Sequence, residues 1–314
     1  MNEKIINISL ANPRGFCAGV ERAILIVEEA LEKYGAPIYV RNEVVHNSYV
    51  IKNLKDKGAI FVNNIEKIPP GSHVIFSAHG VSKAIRVSAD KFNLIPIDAT
   101  CPLVTKVHKE VRRLHTDNYH IIMIGHKGHP EVEGTMGQIE KNSPKASIHL
   151  IESIDDINNL PIISTEKVSY VSQTTLSVDD TSKMIDALKV KFPNIKEPKS
   201  SDICYATQNR QDSVKAMLGQ QDLIFVVGSI NSSNSNRLAE IANQHKVKAI
   251  LIDNMSLFDP SVLKNRKNIG ITAGASAPEI LVQQLISEIK KVSSVHLTEI
   301  NGIEENVIFK LPVI

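Results

Sequence analysis

Three cysteines, Cys17, Cys101 and Cys204, are the only ones in the 314 residues. Each stands where an apolar extended run gives way to a helical pattern. The flanking segments are ISLANPRGF and AGVERAILIVEEAL around Cys17, LIPIDAT and PLVTKVHKEVRRL around Cys101, and KSSDI and YATQNRQDSVKAML around Cys204. This recurrence constrains the fold strongly, because a unit that repeats within one chain dictates an architecture built from related copies.

The repeat extends past the thiols. Apolar strands follow at residues 36–40, 119–125 and 222–228, each opening into a polar turn: RNEVVHNSYV, HKGHPEVEGT and SINSSNSN. His46, His129 and Asn234 in those turns follow their cysteines at a nearly constant spacing of roughly 30 residues, as an internal repeat requires. Further strands (GAIFV, ASIHLI, KAILID) lead to last strands that end in FSAHGVSKAIR, VSQTTLSVDD and ITAGASAPEIL. These loops put His79, Thr174 and Ser276 at comparable places, with the first unit somewhat shorter.

Strands alternating with helices predict parallel α/β sheets, whose ligands bind beyond the carboxyl ends of the strands. The expected fold is therefore α/β, with three units related by a pseudo-threefold axis and the thiols and polar turns converging on the middle. The expected boundaries are residues 1–100, 101–198 and 199–286, with the tail 287–314 packing back on the first unit.

A hydrophobic content of 42% with 22% charged residues suits a globular protein, and no apolar run approaches the length of about 18 residues that crosses a bilayer. The net charge of +2 argues against nucleic-acid or membrane-surface partners. The segment MNEKIINISLANPRG is too short and interrupted for a signal peptide, so a cytoplasmic location is expected. Three distant cysteines form no disulfide framework, and a reducing compartment keeps them available as metal ligands.

Zinc prefers closed four-ligand sites, so a Cys3His site would need His46, His79 or His129 as the fourth ligand and would leave the hydroxyl and amide turns unexplained. An iron–sulfur cube fits better. It normally takes four cysteines, so three leave one iron open to a substrate oxygen as a Lewis acid.

The polar turns then describe the substrate. Ser232, Ser233 and Asn234 precede the helical segment RLAEIA, where hydroxyls and exposed N–H groups cradle an anion, although the same residues serve as ordinary helix caps. His46, His79 and His129 can donate hydrogen bonds to phosphate, while His126 reads as a surface or supporting residue. Glu131 is placed to supply a proton where an oxygen leaves. Glu133 competes for that role, since only one of the two can point inward once a helix has begun.

At this point the chain resembles the LytB/IspH family, the reductases of 4-hydroxy-3-methylbut-2-enyl diphosphate in the non-mevalonate isoprenoid pathway. The resemblance rests on ANPRGFCAGVERAI, EVVHNSYV, FSAHGVS, DATCPLVTKVH, GHPEVEGTMGQ, QTTLSVDDT, DICYATQNRQ, NSSNSNRLAE and TAGASAPEILVQ, in order along nearly the whole chain. It implies a cloverleaf of three α/β units around a central [4Fe-4S] cluster held by Cys17, Cys101 and Cys204. It further implies a pocket of His46, His79, His129, Thr174, Ser232, Ser233, Asn234 and Ser276, mostly around the diphosphate, with Glu131 delivering the proton together with Thr174. The implied reaction removes the C4 hydroxyl with two electrons, giving isopentenyl and dimethylallyl diphosphates.

The helix after Cys101 carries an apolar stripe of Leu103, Val107, Val111 and Leu114, with Lys106, Lys109 and Arg113 on another face. That face is either simply solvated or a dock for an acidic ferredoxin or flavodoxin. Two other readings of the cysteines stay open: a dehydratase or condensing enzyme resembling quinolinate synthase, which turns over without reductant, and a nonenzymatic iron or redox sensor.

Overall fold

A computed structural model describes residues 5–139, 146–162 and 167–314; residues 1–4, with which the reading of the N-terminus begins, lie outside the described residues. The chain runs β1 (Ile5–Leu10), α1 (Ala18–Tyr34), β2 (Ile38–Arg41), α2 (Ser48–Asp56), β3 (Ala59–Val62), β4 (His73–Phe76), α3 (Lys83–Lys91) and β5 (Ile95–Asp98). It continues through α4 (Pro102–Thr116), β6 (His120–Ile124), α5 (Pro130–Met136), β7 (Ile148–Ile151), α6 (Ile154–Asn158), β8 (Val168–Ser172) and α7 (Val178–Lys191). The last part holds α8 (Tyr205–Met217), β9 (Leu223–Val227), α9 (Ser233–Gln244), β10 (Ala249–Ile252), β11 (Asn268–Ala273), α10 (Glu279–Lys290) and β12 (Ser294–Glu299).

The strands form three parallel sheets, in the orders β10-β9-β11-β1-β12, β3-β2-β4-β5 and β7-β6-β8. The predicted α/β class and its three sheets are present. In each sheet the first strand after the cysteine helix is interior: β9, β2 and β6 are each flanked by the next two strands of the repeat. The sequences follow from that placement. Every side chain of β9, Leu-Ile-Phe-Val-Val, is buried, as expected for an interior parallel strand covered on both faces.

Of the segments leading into the cysteines, those before Cys101 and Cys204 stay with the sheet of their own expected unit, and only β1, before Cys17, lies elsewhere. β1 pairs with β11, Ile8 opposite Ile269, and so joins the sheet of the third repeat rather than that of β2–β4. β5 pairs with β4, Ile97 opposite Ile75, and Lys196, upstream of Cys204, bridges Ser169 of β8. The extended segment before a cysteine is thus the last strand of one sheet and not the first of the next. In the two later cases it returns to that sheet after a helix, as a parallel crossover does. β12, from the tail, adds beyond β1 with Val295 opposite Ile6.

The described contacts divide the chain into two compact units. One comprises Met1–Glu21, Val45–Asn53 and Tyr205–Ile308 and contains the five-stranded sheet. Its core gathers Ile6, Ile8, Phe225, Ile269 and Ile271 with Leu281, Leu285 and Ile289 of α10. The other comprises Arg22–Val44, Leu54–Cys204 and Phe309–Ile314 and contains the two smaller sheets. On α4 the buried stripe is Val104, Val107, His108, Val111 and Leu114. Leu103, expected in the stripe, is only half-buried, while Val107, Val111 and Leu114 are buried as expected and Val104 and His108 join them. No helix of the described residues is long and apolar enough to cross a membrane.

Candidate active site

The three cysteines share one local construction. Each precedes the first residue of a helix (α1, α4 or α8), and each backbone N–H donates to a carbonyl in the loop after the last strand of a repeat. Cys17 donates to Ala275 at 3.2 Å, Cys101 to Ala78 at 3.0 Å and Cys204 to Thr174 at 3.1 Å. Those acceptors are, or adjoin, Ser276, His79 and Thr174, the residues the repeat had aligned. All three cysteines are reduced and partly exposed. At α4 the thiol takes no part in the helix cap.

At Cys17 the surroundings act on the thiol in opposite directions. Burial pushes the thiol pKa up, outweighing the pull of Arg210 and of the Val20 and Gly19 N–H groups at the start of α1. Among the described residues no group of three or more His, Cys, Asp or Glu is gathered to hold a metal ion.

In the unit with the two smaller sheets, Glu131 is 2% exposed and Thr174 4%. The Thr174 N–H donates to Glu131 Oε1 at 2.7 Å and its hydroxyl to Oε2 at 3.0 Å. Burial raises the Glu131 pKa to about 7, against the lowering effect of these two bonds, and Asp202 adds a small further rise. Glu133 is exposed, which decides between the two carboxylates. The reason is local: Pro130 is the first residue of α5, so Glu131 and Glu133 diverge around a helix that has already begun.

His129 caps α5, its Nδ1 accepting the Glu131 N–H at 3.1 Å. That bond puts the ring proton of the neutral imidazole on Nε2, as a donor. The His79 ring meets it edge-on, with centroids 5.7 Å apart at 86°, and His79 Nδ1 lies 3.4 Å from Ser77 Oγ. His126 offers its backbone N–H to Gln173 Oε1, in keeping with a supporting role.

In the unit with the five-stranded sheet, Ser232 caps α9 by accepting the Ser235 N–H at 3.3 Å, so the ordinary cap reading holds for this hydroxyl. Ser233 and Asn234 begin the helix. Asn234 is buried, and its Oδ1 accepts the Ala275 N–H at 2.8 Å. Ser276 donates its hydroxyl to the His46 carbonyl at 2.9 Å. Sequence reasoning did not single out Arg210, which is fully buried and donates to the carbonyls of Gly15 and Phe16 beside Cys17 while pairing with Glu305 at 3.0 Å. Asp202 was missed as well: it accepts the Ser172 N–H and pairs with Lys106, steadying the approach to Cys204. Both lie inside quoted motifs, TQNRQ and DIC, where a buried charge leaves no local pattern.

A cleft of about 760 Å³ opens beside Cys101, bounded by the cations Arg22, Lys106, Lys109, Arg113 and Lys199 and by three carboxylates, Asp98, Glu110 and Asp202, with Pro102, Pro198 and Pro312 among its apolar walls. Two of the three predicted surface cations are partly engaged. Lys106 reaches Ser200 Oγ at 2.8 Å, and Arg113 pairs with Glu110 and Asp117.

The profile of the LytB protein family matches residues 8–290. The chain is 56% identical over 305 residues to the 4-hydroxy-3-methylbut-2-enyl diphosphate reductase of Chromobacterium violaceum, covering 97% of this chain and 96% of that one. The reductase of Azoarcus sp. gives the same identity and coverage. Among solved structures, the E-1-hydroxy-2-methyl-but-2-enyl-4-diphosphate reductase of Plasmodium falciparum is similar with a TM-score of 0.91 and 40% identity, over 99% of this chain and 96% of that one. A second structure, described as the terminal enzyme of the non-mevalonate pathway, is similar with a TM-score of 0.64 and 31% identity, over 91% of this chain and all of that one.

Proposed function

The chain belongs to the LytB family, and from that premise we propose that it reduces (E)-4-hydroxy-3-methylbut-2-enyl diphosphate to isopentenyl and dimethylallyl diphosphates. Two electrons and two protons enter for each water released. The observation that carries the reading is the Glu131–Thr174–Cys204 linkage: a buried carboxyl with a pKa near 7 is held by the residue whose carbonyl anchors a cysteine turn.

Membership of the family implies an iron–sulfur cofactor. In our reading it is one [4Fe-4S] cluster held by Cys17, Cys101 and Cys204 with one iron open. Three soft thiolate donors on equivalent turns fit that group, and such ligands suit a reducing cytoplasm. When bound, the cluster supplies electrons and Lewis acidity.

The chain's own residues do the rest. At neutral pH a useful fraction of Glu131 is protonated. A protonated Glu131 donates to Thr174 Oγ1, whose own proton then points outward. A proton can thus pass from carboxyl through hydroxyl to the departing oxygen, and the carboxylate left behind is received by the Thr174 N–H and hydroxyl. The second proton reaches one or the other end of the allylic carbon frame, which divides the two products; a diphosphate oxygen is its source in this reading.

His129 presents Nε2–H to the diphosphate, and His79 lies beside it. On the other unit, His46, Ser232, Ser233, Asn234 and Ser276 supply the remaining contacts. We assign part of the anion binding there to the N-terminal end of α9, whose dipole favours negative charge. The electron donor is an acidic ferredoxin or flavodoxin, and the cationic cleft beside Cys101 supports docking there.

The test is turnover of anaerobically purified, iron- and sulfide-loaded protein with a chemical reductant and the hydroxylated diphosphate. Formation of both five-carbon diphosphates, dependent on reductant, is expected. A fully loaded protein that consumes no substrate, or that turns it over without reductant as a dehydratase would, overturns the proposal.

A further inference from the structure

The residues assigned to proton delivery and diphosphate binding lie on separate elements: His79 in the loop after β4, and His129 and Glu131 at the start of α5. One buried side chain joins these elements. Gln138, just past α5, is 2% exposed. Its amide nitrogen donates to the carbonyl of Val81, two residues beyond His79, at 2.8 Å, and to the carbonyl of Gly134 on α5, also at 2.8 Å. Its oxygen accepts from Arg112 Nη1 on α4, the helix that Cys101 precedes, at 3.4 Å. Both amide protons and the oxygen are therefore committed, and turning the amide over would set its oxygen against two carbonyls.

The backbones meet closely enough for that amide to reach. A Cβ on Gly134 would lie 3.3 Å from the Gly80 carbonyl carbon and oxygen, and one on Gly137 would lie 2.2 Å from Ser82 Cβ. The Lys83 N–H donates to the Gly137 carbonyl at 3.0 Å, closing the same seam. Glycines three residues apart thus let α5 lie against the 80–83 segment, and Gln138 pins the two together.

We propose that Gln138 is a positioning residue that fixes the His79 loop against the helix bearing His129 and Glu131, and so sets the distance between the diphosphate-binding and proton-delivering groups. This inference rests on the reductase reading of those three residues. It gives the GTMGQ segment a role in function that packing alone does not.

The test compares Gln138→Leu, which keeps volume and loses every bond, and Gln138→Glu, which keeps the shape but turns a double donor into an acceptor. The loaded enzymes are assayed for kcat and KM, and the affinity for inorganic pyrophosphate is measured separately, with melting temperature and iron content recorded alongside. With iron content at the wild-type level, kcat/KM is expected to fall on the order of tenfold to a hundredfold, as misplacement of reacting groups costs, and pyrophosphate to bind more weakly. Values of both within about twofold of wild type in either variant, whatever its melting temperature, would overturn the proposal; if the leucine variant does not fold, the isosteric glutamate variant decides. Wild-type protein inactive in the same assay would count against the reductase reading, whereas the variant-to-wild-type ratio in pyrophosphate affinity bears on Gln138 alone.

Discussion

Glu131 is the proton donor in the proposed reaction, and its burial sets how it titrates. Its folded pKa near 7 lies above the ordinary 4.5, so the folded protein holds a proton there that the unfolded chain releases between those values. Stability contributed by the neutral carboxyl is complete below about pH 4.5 and is lost as pH rises towards 7. A glutamine at this position would keep the hydrogen-bonding shape without titrating, so Glu131→Gln is expected to flatten that part of the stability profile, as read from urea midpoints at pH 5 and pH 8. The same substitution removes the proton donor, and kcat is expected to fall about 10²- to 10⁴-fold with the high-pH decline of the wild type near 7 abolished. Retained kcat in the glutamine variant would exclude the acid role. The sequence placed Glu131 and Glu133 two residues apart and left both open, because whether the helix has begun by then depends on the Pro130 start. Ser232 shows the converse: its motif was legible as both a helix cap and an anion contact, and the structure shows the cap.

At the scale of elements, the repeated strand–cysteine–helix pattern was readable because it is periodic and local. The anchoring of each cysteine N–H on a loop carbonyl was not, since the partners lie up to 258 residues apart in sequence, as for Cys17 and Ala275. Arg210 belongs to the same class of hidden determinant. It ties α8 to the Gly15–Phe16 turn and to Glu305, a residue 13% exposed in its side chain. Removing one member of a buried pair leaves the other uncompensated and typically costs about 3–5 kcal/mol. Arg210→Met is expected to lose stability on that order by chemical denaturation, and adding Glu305→Gln should recover part of it. A near-neutral Arg210→Met would show that the pair does not hold the Cys17 turn.

For the whole molecule, three sheets of like order were legible from three like stretches of sequence, while the transfer of β1 to the sheet of the third repeat was not. β1 has the apolar alternation of any half-buried strand, and nothing in that pattern says that its neighbour is β11, some 260 residues away along the chain. The charge arrangement also belongs to this scale. Lys109 and Lys199 border the cleft beside Cys101, and reversing both to glutamate is expected to raise the KM for an acidic protein donor several-fold and weaken its salt dependence. Turnover with a small chemical reductant should not change; equal loss with both reductants would mean that the substitutions damage the site and do not report docking.

The central claim is that cysteines carried by all three repeats serve one cluster, and iron stoichiometry tests it most directly. Anaerobically reconstituted wild-type protein is predicted to hold about four iron and four sulfide per chain, and Cys17→Ser, Cys101→Ser and Cys204→Ser are each predicted to lose most of that content and its absorption while remaining folded. A full complement of iron and sulfide in the Cys17→Ser protein, with the other two substitutions still disruptive, would contradict the account.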